Sequence, residues 1–240
     1  MSIQIIHNKA PELKKPKFSV DGILHSKLDE FEVTKLMNRH NFSLFLGKAG
    51  SGKSTLLISM LKTPCLFRRV YHTIILVCPP NSRASIANDF WGTNLPEEQI
   101  YDELNLEILQ GIYDVAQANA QEGLRTLVVL DDVQKYLKGE CEKLLLHMVN
   151  NRRHAGLSIW MACQTYNSIP RQVRQGLTDL FVFKINKTEM NNIFTEQIEL
   201  FADKFQEVLA IMFKVPHEFL YINTNAQRIF KCWDEIILSE

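Results

Sequence analysis

From Phe42 onward the chain alternates short apolar runs with polar stretches of helical composition. Phe42-Ser43-Leu44-Phe45-Leu46 ends in glycine and is followed, from Lys53 to Leu61, by a helix-forming segment, so the local reading is strand, loop, helix. Val70 to Cys78 is a second apolar run, closed by Pro79-Pro80, and Leu127-Val128-Val129-Leu130 is a third that ends in two aspartates. Leu157 to Cys163 and Leu180 to Phe183 supply two more, and Cys141 to Asn150 is the clearest helix between them. Runs that are apolar at every position predict strands covered on both faces. Strands alternating with helices predict an α/β protein whose mainly parallel sheet is flanked by helices through right-handed crossovers. This core spans residues 42–187.

Residues 1–41 form an N-terminal arm, mostly polar, with a Lys14-Lys15-Pro16-Lys17 cluster. It reads either as a solvated, partly extended segment or as a basic patch for nuclear import or DNA tracking. Between Asn81 and Gln121 lies a polar insertion too long for an ordinary crossover loop, part of it expected to be helical. Its aromatics Phe90, Trp91 and Tyr101 either anchor it to the core or stack on bases. Residues 188–240 begin with Met190, Phe194, Ile198, Phe201, Phe205, Val208 and Met212 at helical spacing, a face for core packing or for a partner. Phe219 to Asn223 and Arg228 to Cys232 then flank Thr224-Asn225-Ala226-Gln227, which predicts a hairpin packed with that helical segment on the core, one domain overall.

Composition narrows the partners. Lys plus Arg and Asp plus Glu each number 27 among 240 residues, so any contact with nucleic acid must come from a local patch rather than from a basic coat. The five cysteines are odd in number and widely spaced, which argues for reduced thiols and against a disulfide framework or zinc site. No segment has the apolar length of a secretory signal or membrane span, so an intracellular, soluble protein is expected.

The chemistry begins at Gly47-Lys48-Ala49-Gly50-Ser51-Gly52-Lys53-Ser54, followed by Thr55, a full match to the phosphate-binding P-loop (Walker A) pattern placed between a strand and a helix. Its glycines let successive N–H groups curl around phosphate oxygens, and the helix start adds a partial positive charge. Lys53 supplies a full charge to the β and γ phosphates of ATP, and Ser54 offers its hydroxyl to Mg²⁺. Asp131, at the end of an apolar strand (Walker B), is expected to complete the metal site, through water. Asp132 beside it is either the base that activates water or the cap of the next turn. Gln164 ends the run Ile159 to Cys163, where its amide can orient attacking water or simply meet solvent. Arg152, Arg153 and His154 precede that run, and Arg171 and Arg174 follow it. Singly each is a surface arginine, but together they offer a candidate for neutralising transition-state charge, in this subunit or a neighbour.

Gly47 to Ser54, Asp131-Asp132 after a hydrophobic strand, Arg153-His154 leading into Leu157 to Gln164, and Pro170 with Arg174 beyond together resemble the genome-packaging ATPases of large DNA viruses and virophages, the poxvirus-type branch of the FtsK/HerA superfamily. The resemblance covers residues 42–184 and implies a RecA/FtsK-like P-loop NTPase. It also implies that Lys53 and Ser54 bind nucleotide and metal, Asp131 holds Mg²⁺, Asp132 activates water, Gln164 is the strand-end glutamine, and Arg153 is the arginine finger given to the next subunit. Cellular relatives usually carry glutamate where Asp132 stands. The implied activity is a homo-oligomeric ring that hydrolyses ATP and drives double-stranded DNA into a preformed capsid, with a capsid or portal protein as partner and the virion or viral assembly site as its location. Two other expectations stay open on the residues alone: a small nucleotide or nucleoside kinase, and a nucleotide-switched scaffold on DNA or capsid protein that barely turns over.

Overall fold

A computed structural model describes residues 3–6, 37, 40–84, 90–199 and 204–238. The strands, in chain order, are β1 (Ile3–Ile6), β2 (Phe42–Leu46), β3 (Thr73–Val77), β4 (Ile100–Tyr101), β5 (Thr126–Asp131), β6 (Leu157–Cys163), β7 (Asp179–Val182), β8 (Leu220–Asn223), β9 (Arg228–Lys231) and β10 (Asp234–Leu238). The helices are α1 (Lys53–Lys62), α2 (Pro80–Ala84), α3 (Phe90–Asn94), α4 (Leu106–Gln121), α5 (Glu140–Asn151), α6 (Arg171–Arg174), α7 (Lys187–Gln197) and α8 (Phe205–Ile211). The α/β class and the strand, P-loop, helix order expected from the sequence are what the structure shows.

The chain divides into two compact units, one of residues 1–38, 45–69 and 178–240, the other of residues 39–44 and 70–177. In the second unit β6, β5, β3 and β4 lie side by side, all parallel. β5 and β6 are buried at every position, which is why they read as unbroken apolar runs. The start of β2 joins β6 here, with the Ile159 N–H donating to the Asn41 carbonyl at 2.9 Å. Asn41, fully buried, accepts from Trp160 Nε1 at 2.7 Å and from Ser43 Oγ at 3.0 Å, so two buried donors share one side-chain oxygen. Helices α4 and α5 cross between the strands, and Asn105 starts α4 by accepting from the Ile108 N–H at 2.9 Å.

In the first unit the end of β2 meets the segment after β7, where the Phe183 N–H donates to the Leu46 carbonyl at 2.8 Å. β7, β8, β9, β10 and β1 then continue as an antiparallel ladder. The expected hairpin is therefore present as β8 and β9, and β10 and β1 extend it. Its core is aromatic: Phe181 stacks between Phe45 and Tyr221, at 4.8 Å from each. The amphipathic stretch from Met190 to Met212 forms two helices, α7 and α8, rather than one, and Phe201 lies outside the described residues. Asn186 caps α7 by accepting from the Glu189 N–H at 2.8 Å. The lysine cluster at 14–17 also lies outside the described residues.

Candidate functional site

In the first unit, the P-loop is shaped by two glycines for different reasons. Gly52, the residue before α1, has φ 108°, a backbone region that L side chains rarely adopt. A Cβ at Gly47 would lie 2.6 Å from Ser51 Oγ and 2.8 Å from Phe183 Cβ, so a hydrogen is all the site admits. The Lys53 ammonium, nearly buried, donates to the carbonyls of Gly47 at 2.8 Å and Lys48 at 3.1 Å, which folds the loop around its own cation. Lys48, Ala49 and Gly50 are exposed, Ser51, Gly52 and Ser54 half-buried, and Thr55 exposed. The Ser51 hydroxyl is buried without a hydrogen-bond partner among the described residues. The exposed backbone between Lys48 and Gly50, the helix start and the Lys53 charge together suit a polyphosphate.

A contact that sequence reasoning missed comes from the C-terminal segment of the same unit. His217 Nδ1 lies 3.0 Å from the Ser51 carbonyl. A carbonyl only accepts, so this nitrogen carries the proton. Nothing in the sequence pattern around Pro216-His217 signals that contact.

In the second unit, the parallel register places the acids and the glutamine at one end of the strands. Asp131 pairs with Ala162, so Gln164 follows just beyond, exposed at the end of β6, while Cys78 follows Val77 at the end of β3. Asp131 is 7% exposed, and the Cys78 thiol donates to its Oδ2 at 3.8 Å. Burial, and then the Asp131 and Asp132 carboxylates, push the Cys78 thiol far above its ordinary value, so it remains a neutral donor. Both residues follow apolar runs, so this pairing was open to inference from the sequence.

Asp132 has φ 53°, a left-handed conformation uncommon for a non-glycine residue. Its Oδ2 accepts from Ser82 Oγ at 3.3 Å, while its Oδ1 is buried with no hydrogen-bond donor among the described residues. Strained backbone and an unsatisfied buried acceptor both cost stability and concentrate at functional sites.

The arginines separate. Arg152 donates through Nε to the His40 carbonyl at 2.9 Å and through Nη1 to the Val149 carbonyl at 2.6 Å, so it is held by its own unit. Arg174 is 7% exposed, stacks 4.5 Å from the Tyr166 ring and donates to the Tyr166 and Ile169 carbonyls. It fastens the segment after β6 rather than lying on the surface. Arg153, His154 and Arg171 are exposed. Of the insertion aromatics, Trp91 is buried at 2% exposure and is an anchor, whereas Phe90 and Tyr101 are half-buried.

Metal fit can be judged from the donors present. No group of three or more His, Cys, Asp or Glu that could hold a metal occurs among the described residues. Mg²⁺ on a nucleotide needs no such cage, since it keeps water and phosphate ligands and takes one or two protein oxygens. A hydroxyl such as Ser54 and a carboxylate such as Asp131 are of the right kind.

The fold is that of a P-loop packaging NTPase. The genome-packaging NTPase B204 of Sulfolobus turreted icosahedral virus 2, solved with AMP, superposes with a TM-score of 0.59 at 17% identity over 82% of this chain and 98% of that one. The DNA-packaging ATPase B204 from Sulfolobus turreted icosahedral virus gives 0.61 at 18% identity over 80% and 97%. The Poxvirus A32 protein family model matches residues 28–230, and the chain belongs to that family. Among curated relatives, the uncharacterized protein 075L of Invertebrate iridescent virus 6 is 28% identical over 76% of this chain and 70% of its own length. The DNA packaging protein OPG160 of vaccinia virus (strain Copenhagen) is 24% identical over 68% of this chain and 60% of its own length. No helix among the described residues is long and apolar enough to cross a membrane.

Proposed function

We propose that this protein is an ATP-hydrolysing motor that moves double-stranded viral DNA into a preformed capsid as a homo-oligomeric ring. Family membership and the packaging relatives support the class. The observation that carries hydrolysis, as opposed to nucleotide holding, is Asp132: a left-handed backbone and a buried Oδ1 that no described protein group satisfies. An acceptor so placed suits the proton of an attacking water.

In this reading the P-loop residues Gly47 to Thr55 hold the ATP phosphates, and Lys53 gives up its loop carbonyls for the β and γ oxygens. Mg²⁺, taken by Ser54 and Asp131, supplies neutralisation of phosphate charge. Asp132 takes the proton of water, and Gln164 orients that water. Ser82 steadies the Asp132 carboxylate, and Cys78, locked as a neutral donor, fixes Asp131. Arg153 is the arginine offered to a neighbouring subunit, because Arg152 is already engaged by His40 and Val149. DNA is gripped through its phosphates, with the segment 81–121 a candidate for the contact, and a capsid or portal protein receives the ring.

The deciding experiment measures ATP turnover with and without double-stranded DNA alongside oligomer size. Stimulation by DNA of any sequence, falling steeply with salt, in a ring-sized species is expected. Turnover that survives Asp132→Asn, or phosphate transfer to an added nucleoside in place of hydrolysis, would overturn the proposal.

A further inference from the structure

We infer that the loop 213–218 is the nucleobase-binding wall of the P-loop, so that the ligand held there is a heterocycle joined to a polyphosphate rather than a polyphosphate alone. The inference rests on the reading of Gly47 to Ser54 as a phosphate cradle. A cavity of about 400 Å³ lies in the first unit, bounded on one side by Gly50 and Ser51 and on the other by this loop. That volume falls within the roughly 300–1,000 Å³ of small-molecule sites. Its walls are largely carbon, from Phe183, Phe213, Val215 and Pro216, with Lys184 and Lys214 also lining it. Such walls have nothing to offer a bare phosphate, which belongs against the N–H groups of the loop next to them. A flat ring of low charge suits them, and the lysines suit the phosphates attached to it.

The loop is held in one shape, as a preorganised binding wall must be. Phe213 and His217 both have left-handed backbones, at φ 59° and 65°. Glu218 accepts from the Lys214 N–H at 2.6 Å and pairs with Lys231 at 3.1 Å. His217 ties the loop to the P-loop carbonyl of Ser51 at 3.0 Å. The result is a fixed turn that presents Val215 at 61% exposure, the most exposed large apolar side chain among the described residues. Strain and exposed apolar surface together are costly, and at the mouth of a phosphate cradle a nucleobase is the ligand that would use both.

The test compares ATP with inorganic tripolyphosphate by titration calorimetry on the full chain, for wild type, Val215→Ser and Phe213→Gly. Val215 is exposed, and glycine relieves the backbone at 213, so both variants should fold; unchanged thermal melting checks this. Wild type is expected to bind ATP at least tenfold more tightly than tripolyphosphate, and each variant to lose most of that preference while its tripolyphosphate affinity stays put. Equal affinity of wild type for the two ligands, or full ATP preference retained in both variants, would overturn the inference and leave the cradle standing. Failure of wild type to bind either ligand would overturn the cradle reading itself, and the inference with it.

Discussion

Gly52→Ala tests whether the phosphate cradle depends on backbone conformation. Gly52 sits at φ 108°, ψ 7°, beyond the left-handed region that other L residues visit. A Cβ there would also lie 3.3 Å from both His217 Nδ1 and Phe183 Cε1, tighter than most real contacts. Holding an alanine in such a region costs about 1–3 kcal/mol. If the loop keeps its shape, that cost falls on folding, and at about 2–4 °C per kcal/mol for a chain of this size the melting temperature drops by roughly 2–10 °C. If the loop relaxes instead, the cost reappears as weaker nucleotide binding, about 5- to 150-fold. The two readouts share one total, so calorimetric titration with ATP and thermal melting must be run on the same preparation. Gly50→Ala is the comparison: φ is 73° and nothing lies within 4 Å of its Cβ, so it carries strain without crowding and should lose less. Wild-type affinity together with wild-type melting in Gly52→Ala would refute the reasoning.

Arg152→Ala should lower the melting temperature, because two carbonyls lose a charged donor, while Arg153→Ala should melt as wild type; in turnover, Arg153→Ala is expected to be inactive yet to recover part of its activity when mixed with Lys53→Ala protein. Equal melting of the two arginine variants would count against the separation of their roles. Iodoacetamide at mildly alkaline pH should modify half-exposed Cys141 well before Cys78, whose thiol is buried against Asp131; mass spectrometry that finds Cys78 labelled first would contradict the neutral-donor assignment. Burial pushes the Glu218 carboxyl up, but Lys231 and the Val215 and Lys214 N–H groups outweigh it and hold the acid below its ordinary value. A lowered folded pKa stabilises above the unfolded pKa and is lost as pH falls through the folded one, so Glu218→Gln should flatten part of the fall in melting temperature on acidification. An unchanged acid profile in that variant would remove Glu218 from the account.

What the sequence disclosed was local, and what it concealed depended on partners distant in the chain. The P-loop, the acids at the end of β5 and the glutamine after β6 are legible because a run apolar at every position marks a covered strand, and polar residues just past its end mark the edge where ligands bind. Cys78 was legible on the same rule, once its run is aligned with that of Asp131. β10 was hidden because its first two residues are acidic and its pairing with β9 and β1 is supplied by the ladder rather than by its own pattern. The break between α7 and α8 escaped because helical spacing of apolar residues continues across it. Arginines 152, 153 and 174 look alike in the sequence, and only their carbonyl and ring partners tell fastening from availability. The strained residues were invisible, since no side-chain pattern announces φ 53° at an aspartate or 59° at a phenylalanine. Those same residues border the features assigned to chemistry, Asp132 beside the strand-end carboxylate and Phe213 with His217 beside the cradle. A fold that tolerates left-handed aspartate, phenylalanine and histidine at these points, where glycine would relieve each, keeps their side chains for what they bind.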